Sequence, residues 1–138
     1  MEMQEFLELA RNDETTGTFT AEVDGRQFLD ATTVTFYHHE KAFIVHASDN
    51  TGGGVVFDFP ADTVGDETHT VHFPASMLLL KWYAKFKPEH EDYSEINDLR
   101  AGSAKFYLSD DRKHVYGEID FVLWRERRVT GKFDLVRK

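Results

Sequence analysis

The chain contains no cysteine and only three prolines, and no apolar run exceeds four residues, as in "MLLL" at 77–80. Without thiols there is no disulfide framework, no thiolate nucleophile and no thiolate metal site; this fits a reducing compartment. Runs of four fall far short of the roughly 18 apolar residues that a membrane helix needs. The opening "MEMQEFLELARND" has neither the basic nor the apolar segment of a signal peptide, which predicts a cytoplasmic protein with no membrane span. Basic charge is also scarce: 16 Lys and Arg against 25 Asp and Glu leave a net charge of −9. Nucleic-acid binders need a basic patch to neutralise phosphates, so that partner class is excluded. Arg125, Arg127 and Arg128 cluster in what reads as a solvated turn. There is no Gly-x-Ser-x-Gly element. The run Gly52-Gly53-Gly54 lacks the Gly-Lys-Ser/Thr of a phosphate loop and reads as a flexible hairpin tip.

Alternation is abundant. At 138 residues the chain is expected to form one domain with a real core. Residues 3–11, "MQEFLELAR", place Phe6, Leu7 and Ala10 at helical spacing, which predicts an N-terminal helix within 1–13. From Thr16 the period becomes two. Phe19, Ala21 and Val23 alternate with polar residues, and Asp24-Gly25 is a two-residue hairpin signal. Extended segments recur through 16–74 and again through 103–138. Val115, Gly117, Ile119, Phe121 and Leu123 share one face; Val129, Gly131, Phe133 and Leu135 share another. The fold class read from this is mainly β, an antiparallel up-and-down barrel or β-sandwich of eight or nine strands. Residues 75–102 interrupt the series. A helix over 76–87, with Ser76 as N-cap and Leu78, Leu79, Trp82, Tyr83 and Phe86 on a broad face, is expected to lead into an acidic connection.

Three stretches echo one another: "TGTFTAEVDG", "VYGEIDFV" and "VTGKFDLV". Gly17, Gly117 and Gly131 each precede a large apolar residue two positions on, and are read as bend points of a coiled sheet. The opening Gly-x-Phe-x-Ala-x-Val-Asp-Gly-x-x-Phe and the closing Thr-Gly-x-Phe-Asp resemble a group of small bacterial lipocalin-like β proteins of unknown function. The resemblance implies the β fold and no catalytic residue. Members of that group are usually exported, whereas no export signal is read here.

Chemistry is sparse. His38 and His39 diverge in a turn, and His69 and His72 point to opposite faces of a strand. His46 and His72 would meet across neighbouring strands with Asp58 nearby, the closest approach to a metal site; no metal or other cofactor is expected. Glu118 and Asp120 share a strand face, where buried carboxylates would suit a hydrolase and exposed ones merely solubilise. Aromatics are plentiful: 12 Phe, 5 Tyr and 2 Trp. They either fill the interior or line a cavity. The resulting expectation is a non-enzymatic binder of a hydrophobic or amphipathic small molecule. His46, His72 and Tyr107 would orient it, Trp82 and Trp124 would stack on it, and Trp82 with Tyr83 would gate it. The alternative is an acidic interaction module, such as an inhibitor or immunity-type partner of a basic protein. Homodimerisation through an uncovered strand edge or through residues 77–86 is a further expectation.

Overall fold

The computed structural model describes residues 14–50, 52–77, 79–84 and 99–138. The helix expected near the N-terminus, residues 85–87 and the acidic stretch 89–98 lie outside that set. Ten antiparallel strands are present among the described residues. They are β1 (Thr15–Val23), β2 (Arg26–Asp30), β3 (Thr33–His39), β4 (Ala42–Ser48), β5 (Gly54–Pro60), β6 (Glu67–Phe73), β7 (Leu80–Tyr83), β8 (Leu99–Leu108), β9 (His114–Leu123) and β10 (Arg128–Arg137). No helix among them is long and apolar enough to cross a membrane.

The strands form two sheets, of order β2-β1-β10-β9-β8-β6 and β3-β4-β5-β7. Of the two expected architectures, barrel or β-sandwich, the closed barrel is therefore corrected, since each sheet has two ends; the expected eight or nine strands are ten among the described residues. The break falls between β2 and β3. Ala31 N–H still donates to Phe19 O, while Thr32 N–H already donates to Ser48 O of β4. One residue thus carries the chain from one sheet to the other. The Asp24-Gly25 signal does what it promises, both residues taking positive φ (51° and 81°) in a two-residue hairpin.

The helix expected over 76–87 is the second correction. Leu80, Trp82 and Ala84 are buried, Lys81 is exposed and Tyr83 is half-buried. That is a strand period. β7 lies antiparallel to β5, with Trp82 opposite Val55 and Leu80 opposite Phe57. A short apolar run fits either period on its own; here the bulky aromatic pair and a free edge on β5 decide in favour of a strand.

The inward faces of the two sheets share one core. Phe133 stacks on Phe19 at 5.3 Å and meets Phe57 of the facing sheet at 5.6 Å. Phe59 meets Phe106 across the sheets at 4.5 Å. Rings fill the space between the sheets by touching one another. All three echoed glycines sit on inward positions of the larger sheet, in register with core residues: Gly17 opposite Leu135, Gly117 between Phe133 and Phe106, Gly131 between Ala21 and Ile119. A β-carbon on Gly117 would lie 2.0 Å from Lys105 O on β8. The glycine lets adjacent backbones of a curled sheet approach closely. Gly53 and Gly54 are not a flexible tip either. Both are buried, and the Gly54 Cα lies under the Tyr83 ring, where a β-carbon would come within 2.1 Å of Cζ.

Candidate functional site

The outward face of the six-stranded sheet holds a groove of about 540 Å³. Alternation puts most polar residues of β1, β10, β9, β8 and β6 on this side, and register sorts them into rows. One row runs Thr20, Lys132, Glu118, Lys105, Thr70. The next runs Glu22, Thr130, Asp120, Ser103, His72. All but His72 line the groove, with Gln27 of β2 at its end. Opposite charges directly across antiparallel strands would ordinarily pair. Among the described residues, however, Glu118 makes no ion pair with Lys105 or Lys132. Asp120 is different: it holds Arg128 Nε at 2.7 Å. Two ammonium groups, three carboxylates (Asp120 held by Arg128) and several hydroxyls are thus presented side by side on this face.

A second depression of about 220 Å³ continues the groove past Lys105 and Glu118, and is bounded by Tyr107 and Tyr116. The Tyr107 and Tyr116 rings lie 5.3 Å apart, and the His114 ring lies 5.2 Å beyond Tyr116. Both ends of this strip are tied to carboxylates. Tyr107 Oη donates to Asp66 Oδ1 at 2.6 Å, and His114 Nε2 meets Asp134 Oδ1 at 2.7 Å. The hydrogen bond to Asp66, with smaller effects of burial and nearby charge, raises the Tyr107 phenol above its ordinary pKa.

The six residues expected to bind ligand do not converge. Trp82 is in the core, 1% exposed, against Phe28 at 5.4 Å. Tyr83, next to it on β7, packs over Gly54, and burial followed by the Asp49 charge raises its pKa. His46 lies on the four-stranded sheet and His72 on the far strand of the other, so they are not neighbours. Trp124 is 59% exposed in a 3-10 turn after β9, with the Arg100 guanidinium 5.6 Å above its ring. Of the six, Tyr107 and His72 lie on the grooved face: Tyr107 bounds the second depression, and His72 ends a row without lining the groove. Among the described residues no three His, Asp or Glu side chains gather closely enough to hold a metal ion; this disposes of the His46, His72 and Asp58 grouping. The basic cluster is partly engaged rather than merely solvated. Arg127 Nε meets Asp24 Oδ2 at 3.0 Å. Burial tends to raise the Asp24 pKa, but hydrogen bonds from the Arg128 N–H and the Arg127 side chain, and the Arg127 charge, outweigh it and leave the carboxyl below its usual range.

His46 carries its own consequence. It is 4% exposed on the side of the four-stranded sheet that faces away from the core, in rows shared with Thr35, Tyr37, Asp58 and Lys81. Tyr37, Ile44 and Val56 form a second apolar cluster there. Burial lowers the His46 pKa from 6.5 to about 4. Between those values the unfolded chain binds a proton that the folded one refuses, so stability is full above the upper value and falls as pH drops. Between about pH 7 and about pH 4.5 this group should cost about 2 to 3 kcal/mol, read as a falling urea midpoint. His46→Gln should flatten that dependence; equal slopes in the two proteins would contradict it.

No family model, curated protein or solved structure matches this chain. The grooved face therefore stands on its geometry. Sequence reasoning placed Glu118 and Asp120 together on an outward strand face but missed Lys105, Lys132, Thr20, Thr70, Thr130 and Tyr116. Their alternation with core residues was visible; their assembly depends on the register of five strands.

Proposed function

We propose that the protein is a non-enzymatic binding module that holds an uncharged, amphipathic small molecule on the outer face of its six-stranded sheet. The groove of about 540 Å³ carries this reading; it falls within the roughly 300–1,000 Å³ of small-molecule sites. Donors and acceptors alternate along it, and Lys105 and Lys132 balance Glu22 and Glu118, so a neutral ligand with several hydroxyl or amide groups is matched better than an ion. A polyanion is disfavoured further by the net charge of −9. The interior offers an apolar ligand little: the rings that might have lined a cavity pack on one another. The Gly-x-Phe strands that resemble the lipocalin-like group are β1 and β10, two of the strands that build this face.

Ser103 sits half-buried in the groove, across from Asp120 and His72. Ser103→Trp should fill the groove while leaving the core untouched, with a stability change of about 0.5 kcal/mol or less. In a ligand-observed NMR screen of neutral polar fragments, the wild-type protein should give hits that this variant loses. Fragments that bind both proteins equally, or none that binds the wild type, would refute the reading.

A further inference from the structure

The Tyr107–Tyr116–His114 strip is a site the groove alone does not explain. Large aromatic side chains on an outward sheet face ordinarily pack flat against neighbours or are absent. Here Tyr116 is 45% exposed, and the two rings flanking it are held at their far edges by Asp66 and Asp134. Hydrogen bonds at the rim fix the flanking rings, which lean on Tyr116 at 5.3 and 5.2 Å. The strip adjoins the second depression, which shares Lys105 and Glu118 with the main groove. An apolar platform thus runs directly into a row of donors and acceptors.

The geometry points to a short neutral oligosaccharide as the ligand, with one sugar ring lying on the Tyr107–Tyr116 platform and the next reaching Lys105, Glu118 and Lys132. A pyranose has the matching duality. Its C–H face is apolar and packs on aromatic surface, and its hydroxyl rim both donates and accepts, as required beside alternating ammonium and carboxylate groups. A flat aromatic ligand would satisfy the platform but leave the charged row unmet; a simple polyol would do the reverse. The inference rests on the reading of this face as a binding site and adds the ligand class.

The test uses three trisaccharide probes, chitotriose, cellotriose and maltotriose, titrated into the isotopically labelled full chain at millimolar concentration. At least one should shift the amide resonances of Tyr107 and Tyr116 together with those of Lys105, Glu118 and Lys132. Tyr116→Ala should weaken its affinity about tenfold, and Tyr116→Trp should restore it; thermal midpoints check that both variants are folded. Binding that Tyr116→Ala leaves unchanged, with shifts confined to the main groove, overturns the platform. Fragment hits abolished by Ser103→Trp without binding of any trisaccharide overturn the oligosaccharide and leave the groove reading intact.

Discussion

Trp82→Ala is expected to cost about 3 to 5 kcal/mol, the range for truncating a large aromatic ring in a packed core. The indole is 1% exposed, is tilted against Phe28 and lies opposite Val55 in the β5–β7 ladder. Alanine would leave a void walled by two sheets that cannot collapse into it independently. At roughly 4 °C per kcal/mol for a chain of this length, the thermal midpoint should fall by about 12 to 20 °C. Trp82→Phe should be much milder. It keeps most of the ring volume and removes an indole N–H that is buried without a partner among the described residues, a group whose desolvation is itself unfavourable. Urea denaturation of the three proteins checks the order wild type, Phe, Ala. An alanine variant within about 1 kcal/mol of wild type would place this ring outside the core.

Gly117→Ala should be nearly as damaging despite adding a single methyl group. The new β-carbon would meet Lys105 O at 2.0 Å and the Phe106 Cα at 2.6 Å, both backbone atoms of β8. No side-chain rotation relieves a clash with a neighbouring strand, so β8 or β9 must move, and both carry rows of the core and of the groove. Overpacking of this kind costs about 3 kcal/mol. Gly25→Ala is the natural comparison. Gly25 has φ +81° but nothing within 4 Å of its would-be β-carbon, so only backbone strain of about 1 kcal/mol is expected. A larger loss for Gly117→Ala in chemical denaturation would separate close approach from conformational freedom. Equal losses would mean that sheet curvature places no special demand at Gly117.

Residues whose structure depends on their immediate neighbours were legible in the sequence. The Asp24-Gly25 hairpin, the inward set of β9 from Val115 to Leu123 and that of β10 from Val129 to Leu135 all follow from local alternation and turn chemistry. Residues 77–84 were not, because "MLLLKWYA" satisfies a helical stripe as well as a strand. What selects the strand is the unpaired edge of β5, more than twenty residues earlier in the chain. Barrel and sandwich could not be separated for a similar reason: the change of sheet turns on which carbonyls Ala31 and Thr32 find, and nothing in their side chains announces it. The groove was the least legible feature. Thr20, Lys132, Glu118, Lys105 and Thr70 come from five strands, each an ordinary polar residue until register aligns them.

An interior filled by its own rings is the ground for proposing the outer sheet face as the place for a ligand. The chain has two tryptophans of opposite character, Trp82 at 1% and Trp124 at 59% exposure. The most direct test is acrylamide quenching of the Trp124→Phe protein, whose fluorescence reports Trp82 alone. Blue-shifted emission that resists quenching until the protein unfolds is the predicted result. Emission quenched as readily as that of a free indole would put Trp82 in water and contradict the packed two-sheet core.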